Sequence, residues 1–149
     1  MKRLLSPLFL LLGITSVQAD DVTIYSPDSL MQVTVRENGG TPVYSISYNG
    51  KQMLEDSPLG LTTNVADFTK GLTLKAAPAT RIEDCYSLRN IKTSHAHYVA
   101  NEVKLTLSAG RRRIGVEFRV GNNDVAFRYT LPVWGETRAC VVTDEASGF

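Results

Sequence analysis

The stretch VEFRVGNNDVAFRYTLP, residues 116–132, decides how this chain folds. Val116, Phe118 and Val120 alternate with Glu117 and Arg119. After Gly121-Asn122-Asn123-Asp124, Val125, Phe127, Tyr129 and Leu131 alternate with Arg128 and Thr130. Alternation with period two puts successive side chains on opposite faces of an extended backbone. The stretch therefore predicts a β-hairpin with one oily face, a polar turn at 121–124 and an end at Pro132. Arg119 and Arg128 lie on the face opposite the phenylalanines, where they pair with Glu117, meet water or face a second protein layer.

The same pattern extends outward from the hairpin, and helical periodicity is hard to find after Asp20. Met31, Val33 and Val35 alternate with polar residues until "ENGG" at 37–40. Tyr44, Ile46 and Tyr48 share a face, and Asn49-Gly50 suits a tight hairpin turn before Lys51 to Leu54 returns. Pro58 and Gly60 break that ribbon. Shorter strands are predicted at Gly71 to Lys75 and around Arg81, joined by "AAPAT", and a longer one over Val99 to Ser108. Several short strands at this spacing predict an all-β antiparallel β-sandwich.

Residues 1–19, MKRLLSPLFLLLGITSVQA, have the build of an export signal: Lys2 and Arg3, an apolar run from Leu4 to Ile14, and small residues at Val17 to Ala19. The expected mature domain is residues 20–149, periplasmic or extracellular, with no membrane segment after cleavage. The signal holds two of the sixteen basic residues and none of the fifteen acidic ones, so the mature chain carries a net charge of −1. That balance gives no reason to expect a nucleic-acid partner. Cys85 and Cys140 are a disulfide candidate in an exported chain, worth about 4 kcal/mol if joined without strain. Two separate buried thiols are the alternative.

Candidate chemistry is sparse. His95 and His97, two apart on a strand, resemble a pair of zinc ligands, but a third must come from Asp84, Cys85 or Glu102, and no metal site is assigned. Arg111-Arg112-Arg113 follow Ala109-Gly110 at a predicted hairpin tip; they fit a solvated turn or a basic patch for an acidic polysaccharide. Trp134, the single tryptophan, is the candidate carbohydrate-binding residue, because an indole packs on the apolar face of a pyranose; a structural role is the alternative. No nucleophile elbow or phosphate loop is present, and the fifteen acidic residues offer no means of choosing a catalytic pair. No catalytic residue is assigned.

From Ser26 to Phe149 the order of motifs resembles the start of the N-terminal domain of glycoside hydrolase family 97, exported α-glucosidases and α-galactosidases. The similarity rests on "SPD" at 26–28, "YSISYNGKQMLEDSPLGL" at 44–61, the paired Phe-Arg strands of 116–132, and "VVTDEASGF" at 141–149. The family places glycine before Val-Ala-Phe-Arg-Tyr; this chain has Asp124, which has to tolerate the turn geometry. The resemblance implies the first part of a galactose mutarotase-like supersandwich, incomplete here, that supports a catalytic (β/α)8 barrel and is not catalytic by itself. It implies an α-glucoside or α-galactoside oligosaccharide as partner. It also implies a calcium ion in the full-length family, with no cofactor held by this chain and the N-terminal glutamate ligand beyond Phe149. Asp144 and Glu145 match a motif that helps fix the chain after Cys140. A stand-alone carbohydrate- or protein-binding sandwich, or a gene fragment without function, are the competing readings. An incomplete sandwich predicts marginal stability or self-association.

Overall fold

The computed structural model describes residues 21–87, 95–136 and 139–149. The expected export signal, residues 1–19, lies outside them. Among the described residues eleven strands are found: β1 (Val22–Tyr25), β2 (Met31–Asn38), β3 (Thr41–Tyr48), β4 (Lys51–Pro58), β5 (Leu61–Thr63), β6 (Thr73–Ala76), β7 (Thr80–Ser87), β8 (His95–Ala109), β9 (Arg112–Gly121), β10 (Val125–Thr130) and β11 (Val142–Glu145). All pairings are antiparallel. One sheet has the order β1-β2-β3-β4. The other runs β10-β9-β8-β6, with β7 also pairing β8, and β11 pairs β5 in a separate ribbon.

Each hairpin is set by its turn. Asn49 and Gly50 take φ values of 49° and 76°, the pair of left-handed residues that a type I′ turn needs to match strand twist. At the β8–β9 tip Gly110 alone is left-handed (φ 59°), as in a type II′ turn, and it brings Ala109 opposite Arg112.

The predicted hairpin forms with the predicted faces. Val120, Phe118 and Val116 stand opposite Val125, Phe127 and Tyr129. The core lies between the two large sheets, as in a sandwich. Ile24, Val33, Val35 and Tyr44 from the first sheet meet Val103, Leu105, Leu107, Ile114, Val116, Phe118 and Val120 from the second. Leu59, Phe68 and Leu72, between strands, join the same cluster. At the β10 edge, Val125, Phe127 and Tyr129, with Leu131 just beyond, pack on this core but remain only partly buried.

Candidate functional site

Two features of the second sheet stand out, one on each side. On the outer face, β8 and β9 bring Glu102 opposite Arg119 and Lys104 opposite Glu117, and β10 brings Arg128 opposite Glu117. Arg119 Nε donates to Glu102 Oε2 at 2.8 Å, and Lys104 Nζ lies 3.5 Å from Glu102 Oε1 and 3.8 Å from Glu117 Oε1. Arg128 Nε donates to Glu117 Oε2 at 2.6 Å. Two carboxylates are thus interleaved with three cations, and a shallow depression of about 120 Å³ opens between Glu117, Arg119, Ala126, Phe127 and Arg128.

Glu102 is the most covered member, its side chain only 8% exposed against 41% for Arg119. The hydrogen bond from Arg119 holds its carboxyl below the ordinary value of 4.5, with Lys104 contributing in the same direction. A carboxylate whose folded pKa is depressed stabilises the fold above its unfolded pKa and loses that contribution as pH falls through the folded one. Glu102→Gln is therefore expected to lower stability by about 1 kcal/mol at pH 7, the scale of an exposed network. Urea unfolding of both proteins from pH 7 into the acid range below 4.5 checks this, since the gap should close there; a gap independent of pH excludes it.

On the inner side, two tyrosines, Tyr44 of β3 and Tyr129 of β10, fasten the final segment beside residues 58–60. Tyr44 Oη donates to the Gly148 carbonyl at 2.8 Å, while Tyr129 Oη accepts from Gly60 N at 2.8 Å and bonds Ser147 Oγ at 2.7 Å. Burial pushes both phenols above their ordinary value. Ala146 N donates to Gly60 O and Gly148 N to Pro58 O, laying the final segment along residues 58–60. Phe149 then stacks on Phe127, centroids 5.8 Å apart, while staying 89% exposed. The result is an aromatic seam of Phe127, Tyr129 and Phe149 at the open edge of the core. Sequence patterning gave the strand face but not these hydroxyl clamps, whose partners lie 104 and 69 residues away.

The residues singled out from sequence scatter. His97 Nε2 meets Glu83 Oε1 at 2.5 Å and His95 Nδ1 meets Ser87 Oγ at 2.9 Å, each with β7 rather than with one another. Glu102 cannot complete a metal set with them, because it bonds Arg119 and stands an odd number of positions from both on one strand, hence on the opposite face. Asp84 alternates away from Cys85, which stands opposite His97 in the ladder. Among the described residues no three His, Cys, Asp or Glu side chains gather as a metal site.

Cys85 and Cys140 are both free thiols. The candidate disulfide is not made: Cys85 is exposed on β7 and Cys140 is partly buried on the approach to β11. Trp134 is partly buried and stacks on the fully buried Phe68, centroids 5.8 Å apart and planes 14° from parallel. One indole face is therefore taken by the core, and a sugar could use only the other. Arg111–Arg113 form the exposed tip expected of them. Asp124 is not among the residues at positive φ, so the turn asks no left-handed conformation of it, and its Oδ2 accepts from Tyr98 Oη at 3.0 Å. Asp144 and Glu145 hold the chain through the β11–β5 ladder, with both residues exposed.

Known proteins resemble this chain in sequence and fold. The family model described as Glycosyl-hydrolase 97 N-terminal matches residues 24–149. A probable retaining alpha-galactosidase of Streptomyces bingchenggensis (strain BCW-1) is 29% identical over 121 residues, covering 74% of this chain and 18% of that protein. The crystal structure of a beta-arabinopyranosidase is similar at TM-score 0.81 and 45% identity, covering 86% of this chain and 21% of the other. A Glycoside Hydrolase Family 97 enzyme from Pseudoalteromonas sp. strain K8, in complex with panose, shares the fold at TM-score 0.75 and 23% identity, covering 85% and 20%. The chain spans about a fifth of the length of each of these proteins.

Proposed function

The chain belongs to glycoside hydrolase family 97, matching its N-terminal domain, and from that premise we propose that it is the non-catalytic sandwich that braces a family 97 catalytic barrel and shapes its sugar site. The aromatic seam supports this reading most directly. Phe127 and Tyr129 are apolar side chains at the mouth of the core with one side uncovered, and Phe149 is almost wholly exposed. Such a surface favours cover by further protein. On the outer face, by contrast, Glu102 and Glu117 are already neutralised by Arg119, Lys104 and Arg128.

The sugar of the assembled enzyme is a galacto-configured glycoside in this proposal. An α-galactosidase and a β-arabinopyranosidase are among the similar proteins, and in the L series a β-arabinopyranoside carries its ring hydroxyls as an α-D-galactoside does, without the hydroxymethyl group. Export through residues 1–19 and a calcium ion held elsewhere in the assembled enzyme belong to the same proposal.

A chimaera tests it. Residues 24–149 are substituted for the corresponding fifth of the beta-arabinopyranosidase, and hydrolysis of an aryl β-arabinopyranoside is measured. The expected result is activity within about tenfold of the parent, with none from the chain alone. A soluble, folded chimaera that is inactive overturns the bracing role.

A further inference from the structure

We propose that the outer face of the second sheet, near the β8–β9 tip, binds an acidic polysaccharide along a groove lined by cations and hydroxyls. Register defines the groove. Thr73, Ser108 and Arg113 form one cross-strand row, and Lys75, Thr106, Gly115 and Thr130 form the next. Leu74, Leu105, Leu107, Ile114 and Val116 turn into the core, so these rows point outward.

Two depressions meet at Arg113. One, of about 310 Å³, is lined by Ser108, Gly110, Arg111, Arg112 and Arg113. The other, of about 160 Å³, is lined by Thr106, Arg113, Ile114, Gly115, Thr130 and Pro132. The floor stays open because position 115 lacks a side chain; a Cβ there would come within 3.3 Å of Thr130 Cβ.

Charge selects the ligand. Among the described residues, Arg111, Arg112, Arg113 and Lys75 enter no ion pair, whereas Glu117, in the row beyond, is already engaged by Lys104 and Arg128. Guanidinium forks bind carboxylates or sulfates in two-point fashion. The adjoining hydroxyls of Thr106, Thr130 and Ser108 match the neutral, hydroxyl-rich part of a sugar chain. No aromatic ring lines either depression to stack on a base, and Pro132 with Ile114 gives too little apolar surface to enter a lipid layer. The inference stands apart from the bracing role, because the groove and the aromatic seam are on opposite faces of β9 and β10.

The test uses the purified full chain and immobilised polygalacturonate, with neutral dextran and phosphatidylglycerol vesicles as comparisons. Saturable binding to polygalacturonate at low salt is expected, weakened at least tenfold by 0.5 M NaCl. Arg111→Gln/Arg113→Gln, both exposed, should weaken it at least tenfold with an unchanged melting temperature. Thr106→Val/Thr130→Val should weaken it severalfold at unchanged charge. Equal binding to dextran, binding to vesicles alone, or an unaffected arginine variant overturns the proposal.

Discussion

Gly60→Ala is expected to destabilise the chain by about 3 kcal/mol, combining the cost of a left-handed conformation for a residue with a Cβ and of a forced backbone shift. Gly60 sits at φ +149°, and a Cβ there would stand 2.4 Å from the Phe68 carbonyl oxygen and 2.9 Å from Thr69 Cα. Both are backbone atoms that cannot rotate aside. The segment cannot retreat cheaply either: Gly60 N is tied to Tyr129 Oη, its carbonyl accepts from Ala146 N, and Phe68 is fully buried. Thermal unfolding followed by circular dichroism should show a fall of roughly 10 °C for a domain of this size. Gly50→Ala is the control, because φ is +76° there but the space around it is open; it should cost about 1 kcal/mol. Equal effects at the two positions would mean that the close approach at Gly60 is relieved without cost.

That strand-to-strand crossing was legible only in outline. Pro58 and Gly60 read as a break, and β4 does end at Pro58; nothing local tells that the break carries the anchor for residues 146–148. Where a strand buries one face, alternation revealed it: β2, β3, β9 and β10 all lie where expected, and Asn49-Gly50 makes its turn. β8 begins at His95 rather than Val99 because its first residues pair only with β7, and no alternation marks a segment without a core to bury. β1, β5 and β11 went unread for related reasons. β5 has three residues, and β11 is exposed throughout and held by a ladder to residues about eighty positions earlier. The outer ion network was half legible: Glu117 and the arginines follow from the hairpin, but Glu102 joins them only through the β8–β9 register.

Phe118→Ala is expected to cost about 3–5 kcal/mol, the range for emptying an aromatic site in a packed core. Phe118 is fully buried, with ring centroids 5.6 Å from Tyr44 and 5.3 Å from Phe127, and those two rings are themselves 5.6 Å apart. The three rings come from β3, β9 and β10, so they join the two sheets at the edge where the clamped segment lies. Since a domain is held by only about 5–15 kcal/mol, the variant should be less stable than Glu102→Gln or either glycine variant, readable as a lowered urea midpoint. Phe127 makes the informative contrast. It touches Phe118, Tyr44, Tyr129 and Phe149 but is only partly buried, so Phe127→Ala should cost roughly half as much in the isolated chain, because the loss scales with area already removed from water. In the chimaera the seam is covered, and the cost of Phe127→Ala should rise toward that of Phe118→Ala. If it stays the same in both settings, the seam is not the surface on which the rest of the enzyme packs, and the bracing contact must lie elsewhere on the sandwich.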